Sequence, residues 1–99
     1  MVLLKVHQKG TERIVALCDA SLRGKVLRQG EMVLDLERFA GFYGSEKAGP
    51  EKIPGELSKA TSVNAVGKKA VGLVVKNGLA SEKDAVSFGG VPHVQVYRL

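Results

Sequence analysis

The chain has 99 residues, 44% hydrophobic and 25% charged, with fifteen Lys and Arg against ten acids and a formal net charge of +5. That is the profile of one ordinary folded domain. No run approaches the roughly 18 apolar residues of a membrane span, and the single cysteine, Cys18, forms neither an internal disulfide nor a cysteine-rich zinc site.

The opening MVLLKVHQKG meets a lysine at position 5 and has no signal-peptide apolar core, so the expected location is the cytoplasm. VLLKVHQK and ERIVALCD are both β-rich and flank Gly10-Thr11, the length of a two-residue hairpin loop. Strands are expected at 2–9 and 12–18, with Ile14, Ala16 and Cys18 on one face of the second. In DASLRGK, Asp19 is placed to cap a single turn and Gly24 to end it in a left-handed conformation. KVLRQGEMVLDL reads as a second hairpin turning at Gln29-Gly30.

ERFAGFYGSEKAGPEKIPGE carries four glycines and two prolines. It reads as an exposed loop, mobile over about 44–55, with one ordered piece at Phe39–Tyr43. From Val63 onward, Val66, Gly67, Ala70, Val71, Val74 and Gly78 recur at helical spacing. The expected helix sets Lys68, Lys69, Gly72 and Lys76 on the opposite side and Asn64 at the border. Gly78 suits its end, Gly67 suits close packing on a sheet, and Gly72 has no evident structural reason. SEKD has capping-box spacing with Asp84 in the usual Glu place. VPHVQVYRL then alternates Val91, His93, Gln95, Tyr97 and Leu99 on one face, and Pro92 points to an edge strand. The fold class is α+β: a single domain, 1–99, with a mostly antiparallel sheet of hairpins packed against one main helix.

Catalytic signatures are absent: no phosphate-binding glycine loop, no nucleophile elbow and only two histidines, His7 and His93. No metal site, cofactor or catalytic residue is expected from these patterns. The candidate binding residues are Lys25, Arg28, Tyr43, Asn64, Lys68, Lys69, His93 and Gln95. Lys25 and Arg28 in LRGKVLRQG are suited to a phosphate. Phe42 and Tyr43 in GFYG are suited to stacking on a base, against the alternative that Phe42 anchors the loop and Tyr43 lies on the surface. His93 is either a hydrogen-bonding or proton-accepting group, or a strand histidine bonded to its neighbours. Asn64 needs a partner if buried.

Taken in order, LCDASLRGKVLRQG, FYGS, NAVG and GGVPHVQV resemble a small archaeal family catalogued as domain of unknown function four hundred and twenty-four. The likeness spans nearly the whole chain. The residue before the last glutamine is usually Ala in that family and is Val94 here; the aromatic motif usually ends in a second Gly, where this chain has Ser45. The following loop is usually acidic and helical, whereas EKAGPEKIPG is broken by prolines, which argues against a helix between 46 and 55. The resemblance implies an archaeal, cytoplasmic, single-domain protein and implies no activity. It singles out Asp19, Gly24, Lys25, Phe42, Tyr43, Gly44, Asn64, Gly67, Pro92, His93 and Gln95, and leads to the expectation that Asn64, His93, Gln95, Lys25 and Tyr43 converge on one surface.

Charge, the lysine face and the lack of catalytic constellations lead first to a small RNA-binding or ribosome- and translation-associated accessory protein. The alternative is a small enzyme or ligand-binding domain around His93, Gln95 and Asn64, marked by a concave pocket and a perturbed histidine. A third reading is a module that pairs through an edge strand, as in a dimer. No membrane partner is expected.

Overall fold

The structure is a computed structural model that describes residues 1–98, so the expected place of Leu99 on the last strand lies outside the described residues. Alternating apolar residues make β1 (Val2–Lys9) and β2 (Glu12–Asp19) an antiparallel hairpin, with Val2 opposite Asp19 and Lys9 opposite Glu12. A short 3-10 turn at Ala20–Leu22 leads into β3 (Val26–Gln29) and β4 (Met32–Asp35), which form a separate two-stranded sheet. Its turn is Gly30-Glu31, one residue later than the sequence pattern suggested, because Gln29 pairs with Met32.

The glycine- and proline-rich stretch is more ordered in secondary structure than expected. Helix α1 (Ala40–Tyr43) precedes a two-residue strand, β5 (Lys47–Ala48), and α2 (Ile53–Lys59) begins inside the expected 44–55 loop. The prolines do not forbid α2: Pro54 sits in its first turn, where its missing N–H has no intrahelical partner to lose. Ile53 and Leu57, one turn apart, are buried.

The main correction concerns residues 62–67. They form a strand, β6 (Ser62–Val66), and not the first turn of a helix; α3 is only Lys68–Lys76. Val63 and Ala65 therefore face one side of the sheet while Asn64 and Val66 face the other. Gly67 has φ +108, outside the helical region, which separates strand from helix. Ser81–Asp84 forms the expected capping box on a 3-10 turn. β7 (Val86–Phe88) and β8 (Val91–Tyr97) close the chain as a hairpin through Gly89-Gly90.

The main sheet has strand order β5-β1-β2-β6-β8-β7. All its pairings are antiparallel except β2 with β6. Both faces are covered. Helices α2 and α3 close one face over Val2, Leu4, Val15, Leu17, Val63 and Val94. The β3–β4 hairpin, α1 and Leu36 cover part of the other, over Leu3, Ala16, Cys18 and Val66. The fold is thus α+β, a mostly antiparallel sheet with α2 and α3 on one face and the short α1 with the β3–β4 hairpin on the other.

Pro92 does not mark an edge, since β8 lies between β6 and β7. It is tolerated because its nitrogen falls where the β6–β8 ladder stops. There Gly67 donates its N–H to the Pro92 carbonyl at 2.9 Å, and the Gly67 carbonyl accepts from Val71 of α3. No N–H from position 92 is called for.

Candidate functional site

The sheet face opposite α2 and α3 carries the site. Strand register sets its side chains in rows. Lys5, Ala16, Asn64 and Gln95 form one row; His7, Ile14, Ser62 and Tyr97 form the next; Leu3, Cys18, Val66 and His93 lie on the other side. Bonds from Gly67 to Pro92 and from Arg98 to Thr61 make 63/96 and 65/94 the hydrogen-bonded pairs of β6 and β8. Asn64 and Gln95 thus form a non-hydrogen-bonded pair, the type that brings side chains closest.

Helix α1 supplies the third member. It is pinned across β1 by the His7 Nε2–H, donated to the Phe42 carbonyl at 2.7 Å, and by Lys5 Nζ, donated to the Gly41 carbonyl at 2.9 Å. The His7 and Phe42 rings stack with centroids 4.8 Å apart. Gly44, at φ +75, turns the chain away over the Lys5 side chain. This places Tyr43 4% exposed, with its hydroxyl donating to Asn64 Oδ1 at 2.7 Å. The alternative of a surface Tyr43 is therefore replaced: Phe42 anchors α1, and Tyr43 is buried behind it.

His93 completes the network. Its Nε2 lies 3.0 Å from the same Asn64 Oδ1, and its ring meets Phe88 edge-on at 6.0 Å. An amide oxygen only accepts, so Nε2 carries the proton and Nδ1 is left as an acceptor. Burial holds the His93 pKa below its ordinary value, which favours the neutral ring. Burial also raises the Tyr43 pKa, so the phenol stays a donor. With Oδ1 taken twice, the Asn64 amide N–H groups remain. Neither they nor the side-chain amide of exposed Gln95 has a partner among the described residues.

Above this network lies a shallow groove of two adjoining lobes. The larger, about 270 Å³, is lined by Leu34, Phe39, Phe42, Tyr43, Asn64, His93 and Gln95. The smaller, about 130 Å³, adds Ile14, Ser62 and Tyr97 and shares Phe42, Asn64 and Gln95. Phe39 is 50% and Tyr97 75% exposed, and the Arg38 guanidinium lies 5.6 Å from the Phe39 ring centre. A separate hollow of about 390 Å³, larger than either lobe, lies beside β1, the Gly44–Glu46 segment and α2. Its lining carries no aromatic ring, and Lys5 is tied to Gly41 and Glu56 to Arg13, whereas the two-lobed groove sets aromatic rings beside the amides of Asn64 and Gln95.

Of the sequence candidates, Tyr43, Asn64, His93 and Gln95 meet in this groove. Lys25 does not join them: it is exposed beside β3 and lines neither lobe, because its backbone is tied to Leu22 and Leu36. Arg28, exposed on β3, is also outside. Lys68 and Lys69 open α3, which packs on the other face of the sheet. Phe39, Phe42, Ile14, Ser62 and Tyr97 line the groove and were not singled out together; the alternation in ERIVALCD and SVNAV was the available signal for Ile14 and Ser62. Cys18 lies under the site, 1% exposed, with its thiol pKa pushed up by burial to about 11, which makes it a core residue. Among the described residues no group of three or more His, Cys, Asp or Glu is placed to hold a metal ion, and no helix is long and apolar enough to cross a membrane.

A family model described as a protein of unknown function, DUF424, matches residues 7–99. A solved structure of an uncharacterized conserved protein from Methanopyrus kandleri is similar at 35% identity and a TM-score of 0.80, over 99% of this chain and 91% of that one. No curated protein matches the chain.

Proposed function

The chain belongs to the DUF424 family, and we propose that it acts as a binding domain whose ligand is a flat heterocycle seated in the groove over Asn64. One observation carries this reading. Tyr43 and His93 saturate the Asn64 carbonyl and so aim its N–H groups outward, beside the free Gln95 amide and the rings of Phe39, Phe42 and Tyr97. Aromatic faces hold a planar group by stacking, and the two amides read acceptors and donors on its edge. Binding is favoured over bond-breaking because the one hydrogen bond of the His93 ring among the described residues runs to an amide oxygen. Among the described residues no hydroxyl, thiol or carboxylate is bonded to it as a nucleophile would be to a base.

Two sources offer such a heterocycle: a free small molecule, or a base of single-stranded RNA. The net charge of +5 and the exposed Phe39 and Tyr97 rings favour RNA. A ribosome- or translation-associated role is the specific form of that reading.

The test is titration, followed by amide NMR, with nucleosides and separately with short single-stranded RNAs at several salt concentrations. RNA binding whose affinity falls with a slope of about −0.7 per phosphate neutralised, and which Asn64→Ala abolishes, supports the RNA form. Nucleoside binding that is insensitive to salt assigns a small molecule. No shift at Asn64, His93 or Gln95 with either probe overturns the groove reading. Sequencing RNA recovered with the tagged protein, with and without ribonuclease, then decides whether ribosomal or transfer RNA is the partner.

A further inference from the structure

We propose that the outer face of α3 around Gly72 is a docking site for an acidic protein segment that inserts one large apolar side chain beside this glycine. The inference is independent of what the groove binds, because α3 lies on the other face of the sheet.

Gly72 stands in the middle of α3, where a glycine weakens a helix relative to alanine. Folding does not call for it: its φ is not positive, and a Cβ there meets nothing within 4 Å. Its missing side chain leaves open a hollow of about 250 Å³ between α3 and the turn at Glu82–Asp84. Gly72 lines it together with the apolar Val71, Val75, Ala85 and Pro92, and Lys68 and Glu82 complete the lining. That volume admits one side chain of the size of Leu or Phe. A glycine at such a place lets another molecule approach the helix backbone closely.

Charge selects the occupant. Lys68, Gly72 and Lys76 follow at intervals of four and share one ridge, the two lysines roughly 12 Å apart along the axis. Both are exposed, and neither forms an ion pair among the described residues. α3 and the turn after it carry Lys68, Lys69, Lys76 and Lys83 against Glu82 and Asp84, and the Asp84 carboxylate accepts the Ser81 N–H. The cations are in excess, so the complementary partner carries carboxylates.

The same lysines suit a phosphate, but the hollow between them has no aromatic ring on which a base stacks. Its aliphatic lining matches an apolar side chain instead. An anchor in an apolar pocket, ringed by charges that set selectivity, is how one protein recognises another.

The test is selection of random peptides displayed on phage against the immobilised chain, followed by titration of the selected peptides with methyl NMR. Enrichment of acidic peptides with one large apolar residue is expected, with shifts at the Val71, Val75 and Ala85 methyls. Gly72→Leu fills the hollow and should weaken these peptides at least ~tenfold. Gly72→Ala should weaken them while raising the melting temperature, a pair of effects that damage to the fold does not produce. Reversing the ridge charge with Lys68→Glu and Lys76→Glu should weaken them too, as should added salt. No enrichment, enrichment of peptides without acidic residues, or binding unchanged by Gly72→Leu overturns the proposal. Shifts at these methyls with an oligouridine but with no peptide assign the face to nucleic acid and overturn it. Shifts that grow with protein concentration alone assign the face to a second copy of the chain and also overturn it.

Discussion

Asp19, the last residue of β2, caps α3 at Ala70 from across the sheet: its Oδ1 accepts the Ala70 N–H at 2.8 Å, and its Oδ2 accepts that of Lys69 at 3.2 Å. The sequence pattern assigned Asp19 to the turn that follows it, yet its side chain caps nothing there. It is 9% exposed, and its carboxylate fills the space that a Cβ on Gly67 would need. One contact thus ties a strand end, a strand-to-helix turn and a helix start together. Asp19→Ala should cost about 1–2 kcal/mol through loss of the cap. Gly67→Ala should cost more, since it adds a collision with Asp19 to strain at φ +108. Chemical denaturation of both variants checks the order; equal or negligible losses would contradict this coupling.

The Tyr43–Asn64–His93 network makes a graded prediction. Tyr43→Phe removes one donor and leaves Asn64 bonded to His93, for a loss of about 1 kcal/mol. Asn64→Ala strands both the Tyr43 hydroxyl and the His93 Nε2–H, for about 1–3 kcal/mol. The double variant should lose less than the sum, because both changes break the same bond. Urea unfolding of the double-mutant cycle measures that coupling.

Stability should depend on pH through His93. Its pKa in the folded chain lies below the ordinary value of 6.5 because burial disfavours the charged ring. Just below pH 6.5 the unfolded chain therefore binds a proton that the folded chain does not, and stability rises with pH across this window. The contribution is fully present above about pH 6.5 and is lost as pH falls toward the folded-state pKa. The melting temperature should drop between pH 7 and 5, and His93→Gln should flatten that drop. An unchanged slope in the variant would place the dependence elsewhere.

Gly72 is an exposed position in the middle of α3, its φ is not positive, and a Cβ there meets nothing within 4 Å. Nothing in the structure explains it. Gly72→Ala should raise stability by about 1 kcal/mol, or about 4–8 °C in melting temperature for a domain of this size. Calorimetry is the check, and a lower melting temperature would reveal a constraint on that helix face.

The sequence alone was enough for the hairpin that opens the chain and for the last strand, since period-two alternation and turn glycines are local signals. Tyr43, Asn64, His93 and Gln95 were brought together as candidates by the family resemblance; the residue pattern alone favoured a strand histidine at His93 and a surface place for Tyr43. Residues 62–67 were not legible. Val63, Val66, Gly67 and Ala70 fit a helical stripe, and only burial between β2 and β8 makes Ser62–Val66 a strand. That change of period decides the site: in a strand, Asn64 points to the face opposite α3 and directly across from Gln95. Lys25 failed to join for the converse reason, since charge and motif order carry no information on which side of a sheet a residue emerges. Local pattern sets the period of each segment, whereas strand order and register set which residues meet, and both depend on contacts far apart along the chain.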